Sequence, residues 1–312
     1  MSVVVILNPI AGARGGSAQT TGDRVALATR VLRDAGVPHR VEVTTGVLHA
    51  SVLARDAVRQ QASLVCAWGG DGTVNEVASA LAFTPTALGI IPGGSGNGLA
   101  RAIGMSLRPE QALRQLVHGA EHPIDVGEIG GRLFVNVAGI GFDAYVAQTF
   151  NARGLKRGPM AYARVTAVEL FRYQPLSYVI GDGEGETNGH APGSVSGRET
   201  ANGAQPALMV VLANSPQYGN GAVIAPKARV DDGLLDLVVV EPRHPLASLW
   251  RARHLFTGTL ATAGGVSMRT IDRATVSVAE GPLWFHVDGE PVHAASSVSI
   301  RVHASALRVR VP

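Results

Sequence analysis

The 312-residue chain sets 27 Lys and Arg against 24 Asp and Glu, a net charge of +3, with 46% apolar and 16% charged residues. This composition builds a large core over roughly two domains and excludes a disordered chain, while so small a charge gives no argument for nucleic acid. Cys66 is the only cysteine, which excludes an internal disulfide and points to a reducing, cytosolic location; the apolar uncharged stretch 77–100 is broken by Pro85 and Pro92, so no transmembrane helix is expected.

The N-terminus lacks the basic flank of a signal peptide, and residues 2–7 read as a first β-strand. Further strands are expected at 40–43, 64–67 and 88–91, separated by helical spacing over 23–35 and 48–61. That alternation predicts a doubly wound α/β domain over residues 1–125. From Ile124 the texture changes to short β-rich runs at 124–129, 133–137, 207–212, 235–240, 274–278, 283–287 and 298–302. A second, mostly antiparallel domain over 126–312 is expected, with 291–312 returning to pack on the first. A helix over 160–172 and a polar, Gly-rich insertion over 181–205 interrupt it.

Three glycine-bearing segments follow expected strands of the first domain. The sharpest runs Gly69-Gly70-Asp71-Gly72-Thr73-Val74-Asn75-Glu76, directly after a buried strand and opening a helix. In an open α/β sheet ligands bind at the carboxyl ends of strands, where glycines let backbone amides approach phosphate and the helix N-terminus attracts negative charge. Asp71 is the odd residue there, because a carboxylate repels phosphate unless it holds a metal ion or takes a proton from an attacking hydroxyl. The plainer alternative is that Asp71 caps the helix. The second segment, Pro92-Gly93-Gly94-Ser95-Gly96-Asn97-Gly98, lies one strand along, and two such loops on neighbouring strand ends should line one crevice. The third, Asn8-Pro9-Ile10-Ala11-Gly12-Ala13-Arg14, offers a cation or merely a solvated loop arginine. No GxxxxGK[ST] motif exists, which excludes a P-loop.

These motifs resemble, in order, those of the diacylglycerol kinase catalytic-domain family, which includes bacterial lipid kinases, sphingosine kinases and ceramide kinases. The resemblance continues through Gly139-Ile140-Gly141-Phe142-Asp143, Asp231-Asp232-Gly233-Leu234-Leu235-Asp236 and Asp288-Gly289-Glu290, spanning nearly the whole chain. It implies an α/β nucleotide domain like that of NAD kinase and phosphofructokinase, followed by a β-sandwich lipid domain, with ATP in the cleft between them. It implies Asp71 and Glu290 as the acidic groups at the γ-phosphate, acting through Mg²⁺ and as base toward a lipid hydroxyl, with Asp71 also a metal ligand. Asn8, Gly12, Arg14, Thr45, Gly70, Gly72, Thr73, Gly94, Ser95 and Asn97 would hold the nucleotide. Asp231 and Asp232 match a segment that binds a structural Mg²⁺ in some members; on their own they equally suit a solvated turn. Asp143 lies where sphingosine kinases present acid to an amino-alcohol head, or else caps the following helix.

The second loop departs from the family. Diacylglycerol-type members commonly carry Thr-x-Asn-Asp there, and Gly98 takes the place of that aspartate, a form similar to the sphingosine kinase loop; Glu290 or Asp232 would then compensate. The implied partner is a membrane lipid, diacylglycerol or sphingoid base in type, met by a cytoplasmic enzyme transiently at the inner face of the membrane. Residues 246–263 set Trp250 and Phe256 beside Arg251, Arg253 and His254, which suits either an anionic membrane surface or a packed helix with snorkelling arginines. Two other readings stand: an NAD kinase-like small-molecule kinase, and a non-catalytic ATP-binding protein. The oligomeric state stays open, a homodimer included.

Overall fold

The structure, a computed structural model, describes residues 2–11, 20–152, 159–182, 203–278, 281–294 and 296–312. Gly12, Arg14 and most of the expected 181–205 insertion lie outside the described residues.

The first half alternates β1 (Val3–Leu7), α1 (Thr21–Asp34), β2 (His39–Val43), α2 (His49–Arg59), β3 (Leu64–Gly69), α3 (Asp71–Leu81) and β4 (Ala87–Pro92), then α4 (Gly98–Ala102) and α5 (Pro109–His118). β1, β3 and β4 are apolar and buried along their whole length, as parallel strands covered on both faces must be. They pair in the parallel order β2-β1-β3-β4, with Val5 opposite Cys66 and Cys66 opposite Gly89. Burial pushes the Cys66 thiol up to about 12, so it serves as a small packed apolar group. α1 opens on a capping box in which Thr20 and Asp23 satisfy each other's amides.

The second half contains β5 (Ala120–Ile129), β6 (Arg132–Phe134), β7 (Val137–Gly141), α6 (Phe142–Ala152), α7 (Pro159–Glu169), β8 (Leu176–Gly181), β9 (Gln205–Ala207), β10 (Met209–Ala213), β11 (Gln217–Gly219) and β12 (Ala222–Val223). It continues with β13 (Leu235–Val240), α8 (Pro245–Thr257), β14 (Val266–Ile271), β15 (Arg273–Val278), β16 (Leu283–Val287), β17 (Glu290–Ala294) and β18 (Ser297–Val311). One sheet is wholly antiparallel, in the order β14-β13-β10-β7-β16-β17. One of its faces packs through Ile140, Val210 and Phe285 against Tyr178, Val276 and Ile300 of the other sheet. The opposite face is covered by α6 and α7 through Phe142, Val146, Phe150 and Val165. Each fully buried Val, Leu or Ile contributes about 1.5–3 kcal/mol. The chain is thus an α/β layer joined to a mostly antiparallel β-sandwich-like half.

The join is β18. It runs antiparallel to β5 from Ile300 opposite Ile129 to Val311 opposite Ala120, meets β4 in parallel at Val309 opposite Leu88, and pairs with β15 on its other side. A bulge between His303 and Leu307 bends it, with Ser305 in the left-handed region at φ 53° and its amide donated to Asp125 Oδ1 at 2.7 Å.

Several expected strands differ; that at 207–212 breaks at Leu208 between β9 and β10. The one at 133–137 splits into β6 and β7, because the amides of Val135, Asn136 and Val137 all leave the ladder for one carboxylate, that of Asp288. The one at 298–302 continues to Val311, carried past its polar break by the bulge that Asp125 holds. Among the described residues no helix is long and apolar enough to cross a membrane.

Candidate active site

The loops after β1, β3 and β4 lie side by side, because those strands are neighbours in the sheet. Side chains tie them together. Asn8 Nδ2 donates to Thr73 Oγ1 at 2.9 Å, joining the loop after β1 to the start of α3. Buried Arg24 donates to the carbonyl of Ala11 at 2.6 Å and shapes the same loop from α1. The loops after β3 and β4 meet backbone to backbone, Gly93 N donating to Gly69 O at 2.8 Å. Asn97, in the left-handed region at φ 52°, uses its side chain inside its own loop: Oδ1 accepts from Gly94 N at 3.0 Å and Nδ2 donates to Gly94 O at 2.8 Å. Ser95 is exposed at the loop tip. Thr45 stands apart, exposed after β2, with its amide donated to His49 Nδ1 at 3.0 Å.

Asp71 is the first residue of α3, but its carboxylate does not turn back to cap that helix. Oδ2 accepts from Asn97 N at 3.0 Å and Oδ1 from Gly98 N at 2.8 Å, so it braces the opposite loop from the mouth of its own. Burial pushes the Asp71 carboxyl up from its ordinary value, and the Gly98 and Asn97 amides, with the nearby Arg101, pull it back.

Glu290 begins β17, exposed, and its Oε1 would lie 3.1 Å from a Cβ placed on Gly72. The second carboxylate therefore arrives from the sandwich side directly over the turn that carries the first. A Gly72→Ala substitution is expected to push Glu290 aside. Because alanine is the better helix residue by about 1 kcal/mol, the melting temperature should hold or rise while turnover falls roughly tenfold to a hundredfold. A parallel loss of stability and activity would contradict this placement.

The hub beneath Glu290 is Asp288, buried and at φ 47°. Its carboxylate accepts from Asn75 Nδ2 at 2.8 Å and from the amides of Val135 at 3.0 Å, Asn136 at 3.0 Å and Val137 at 2.9 Å. Asn75 also donates to Leu133 O at 2.9 Å, so α3 is fastened to the sandwich at the root of the β16–β17 turn. Burial pushes the Asp288 carboxyl up, the amides of Val135 and Val137 and the Asn75 side chain oppose this, and the Asp71 charge adds to the rise.

The glycine in place of the family's aspartate has a partner. A Cβ on Gly98 would overlap the Asn136 amide nitrogen. Asn136 donates to Gln217 O at 2.9 Å and accepts from Ser215 Oγ at 2.5 Å, so the sandwich fills the space a second-loop carboxylate would need.

Asp143, at the start of α6, is buried in a network of its own. Oδ1 accepts from Ala144 N at 2.8 Å; Oδ2 accepts from Tyr218 OH at 2.5 Å and faces His286 Nε2 at 3.1 Å. Gly289 N donates to His286 Nδ1 at 3.2 Å, which leaves Nε2 as the protonated nitrogen that donates to Asp143. Asp143 is thereby linked through His286 to the residue before Glu290. Burial, reinforced by the Asp143 charge, pushes the Tyr218 phenol far up, so it stays a donor.

As hard oxygen donors facing a phosphate-type loop, Asp71 and Glu290 fit Mg²⁺, which is commonly held by one or two carboxylates with phosphate and water. The 231–232 turn fits a cation less well. Asp231 accepts from Arg229 at 3.2 Å and from His122 at 3.3 Å, which hold its carboxyl below the usual range, and Asp232 accepts from Leu234 N at 3.1 Å. Among the described residues no group of three or more His, Cys, Asp or Glu side chains is placed to hold a metal ion, and His122 serves here as a hydrogen-bond partner of Asp231. That turn is seated instead by Asp125, whose Oδ2 accepts from Gly233 N at 2.7 Å.

Spacing alone does not reveal Asn75, Asn136, Asp288, His286 or Tyr218 as one network; Asp288-Gly289 reads as an ordinary hairpin turn. The signal present in the sequence is Asn75 within the glycine-loop motif itself.

A glycine-loop α/β layer and an antiparallel sandwich meeting over two carboxylates define a kinase-type architecture shared with NAD kinases. The chain belongs to the diacylglycerol kinase catalytic-domain family: the diacylglycerol kinase catalytic domain matches residues 2–129, and the YegS C-terminal NAD kinase beta sandwich-like domain matches residues 136–311. It is similar to the "Probable lipid kinase YegS-like" of Pseudomonas fluorescens strain Pf0-1, 30% identical over 94% of this chain and 90% of the relative. To the protein of that name from Pseudomonas aeruginosa strain PAO1 it is 33% identical, over 94% of this chain and 91% of the relative. The fold matches the crystal structure of a diacylglycerol kinase from Bacillus anthracis strain Sterne, with a TM-score of 0.71 at 19% identity, covering 100% of this chain and 97% of that one.

Proposed function

We propose that the protein is an ATP-dependent lipid kinase that transfers the γ-phosphoryl group of Mg-ATP to a hydroxyl of a membrane lipid, of diacylglycerol or sphingoid-base type. The observation that carries this reading is the convergence of Asp71 and Glu290, from two halves of the chain, over glycine loops joined at neighbouring strand ends.

The lipid hydroxyl oxygen attacks the γ-phosphorus, the bond to the β-phosphate bridging oxygen breaks, and ADP leaves with that electron pair. Backbone amides of the loops and the N-terminus of α3 face the phosphates and orient them. Asp71 takes the hydroxyl proton; its burial makes it a stronger proton acceptor than an exposed aspartate. Glu290, with the nucleotide phosphates, would hold Mg²⁺. When bound, Mg²⁺ neutralises charge on the transferring group. Asn97 and Asp71 keep the second loop in shape, and Asn75 with Asp288 keeps Glu290 in register with the α/β layer.

The test is transfer of labelled γ-phosphate from Mg-ATP to diacylglycerol, sphingosine, ceramide, phosphatidylglycerol and NAD, each offered separately. Label is expected in one lipid class. Label in NAD alone would move the protein to the NAD kinase-like reading, for which the relationship of its C-terminal domain to NAD kinases speaks. ATP binding with no label in any acceptor would leave a non-catalytic nucleotide-binding protein.

A further inference from the structure

α8 is turned inside out. Its inward line is Ser248, Arg251 and Leu255, the first two buried and the third packed on the core. Arg251 fixes the seat, donating to the carbonyls of Gly264 at 3.3 Å, Gly265 at 3.2 Å and Glu241 at 2.8 Å. At about 100° per residue, the opposite arc carries Leu246, Leu249, Trp250, Arg253 and Phe256. These point away from the protein: Leu246 is 62% exposed, Trp250 67% and Phe256 68%. A surface helix ordinarily sets polar residues there. The helix has no acidic residue, and the Arg253 guanidinium lies 3.9 Å above the Trp250 ring centroid. Large apolar and indole side chains around an arginine are the make-up of a helix that lies in a membrane interface.

We propose that α8 docks the protein on an anionic bilayer, lying in its plane with Leu246, Leu249, Trp250 and Phe256 at the boundary of headgroups and acyl chains and Arg253 against lipid phosphate. Charge separates this occupant from a second copy of the chain: a two-fold contact would bring Arg253 toward its own image, whereas anionic headgroups neutralise it. The place in the fold suits a lipid substrate. α8 packs on β12, and the β11–β12 turn reaches the second glycine loop, where Asn220 N donates to Gly96 O at 3.3 Å. The lipid-kinase reading supplies the biological sense of such docking, but vesicle binding requires neither nucleotide nor turnover, so the two ideas fail separately.

The experiment is flotation of the full chain with phosphatidylcholine vesicles, with and without a minority of phosphatidylglycerol, alongside tryptophan quenching by lipids brominated in the acyl chain. Partition is expected only with the anionic lipid, weakened by salt, with quenching that disappears in Trp250→Ser. The double variant Leu246→Ser/Phe256→Ser, which keeps Trp250, should partition about tenfold or more weakly, and Arg253→Glu should erase the anionic preference. Melting temperatures of all three should match the parent, since every altered side chain is exposed. Absence of partition, partition that survives the double variant, or a dimer dissociated by these same substitutions would each overturn the proposal.

Discussion

Asp71→Asn is expected to cut phosphoryl transfer to lipid by about a thousandfold or more, within the range for loss of a general base. Its second effect separates it from a merely chemical change. Asp71 faces two backbone donors, one on each oxygen, from Asn97 and Gly98. A carboxamide offers one acceptor and one donor, so one of those amides meets an N–H and stays unpaired, at about 1–3 kcal/mol. Turnover of labelled ATP with the identified lipid, measured beside urea denaturation and ATP binding, should show kcat collapsed, stability modestly reduced and nucleotide affinity lowered only as far as the second loop loosens. A variant that retains a tenth of parental kcat, or whose whole defect lies in ATP affinity, would reduce Asp71 to a brace between loops and leave the base to Glu290.

Asp288→Ala should be the most damaging change to stability. The substitution leaves four donors, three backbone amides and Asn75, without their acceptor in a dry interior, and puts alanine at φ 47°. A loss of about 4–5 kcal/mol is expected, near the upper end for single substitutions. Asp288→Asn keeps one acceptor oxygen and tolerates the left-handed backbone better, so about half that loss is expected. The comparison is made by chemical denaturation followed by circular dichroism. Where Asp288→Asn remains folded, its activity should still fall, because Glu290 hangs from the same turn. Equal losses in the two variants would mean that backbone strain, and not the acceptor count, sets the cost.

Local pattern made the α/β layer legible. Three apolar runs, those of β1, β3 and β4, each ending in a glycine-bearing loop, place the buried strands, and strand neighbourhood places the loops. The sandwich strands at 235–240 and 283–287 also match their expected positions, because each is a mostly apolar run broken by a single polar residue, Asp236 in one and His286 in the other. Long-range polar pairing was not legible. Residues 133–137 look like one strand because nothing nearby shows that their amides are owed to a carboxylate about 150 positions later. Gly98 reads as a missing ligand until Asn136 is seen in its place. Asp143 invites a choice between helix cap and head-group ligand, whereas its oxygens reach Tyr218, His286 and the next amide at once. Glu290 was reachable only through family resemblance, since an Asp-Gly pair after an apolar run means a hairpin on its own. Arg251 looked like a snorkelling cation and is instead the buried anchor of α8.

The position of β18 bears on how the chain comes off a ribosome. β5 finds its long partner, and β4 its outer neighbour, only in residues made some 170 to 220 positions afterwards. Until then the newborn α/β layer carries a bare strand edge at Leu88, the kind of surface on which nascent chains cling to one another and chaperones act. Shortening the chain by its last dozen residues would therefore harm the half of the protein that was synthesised first.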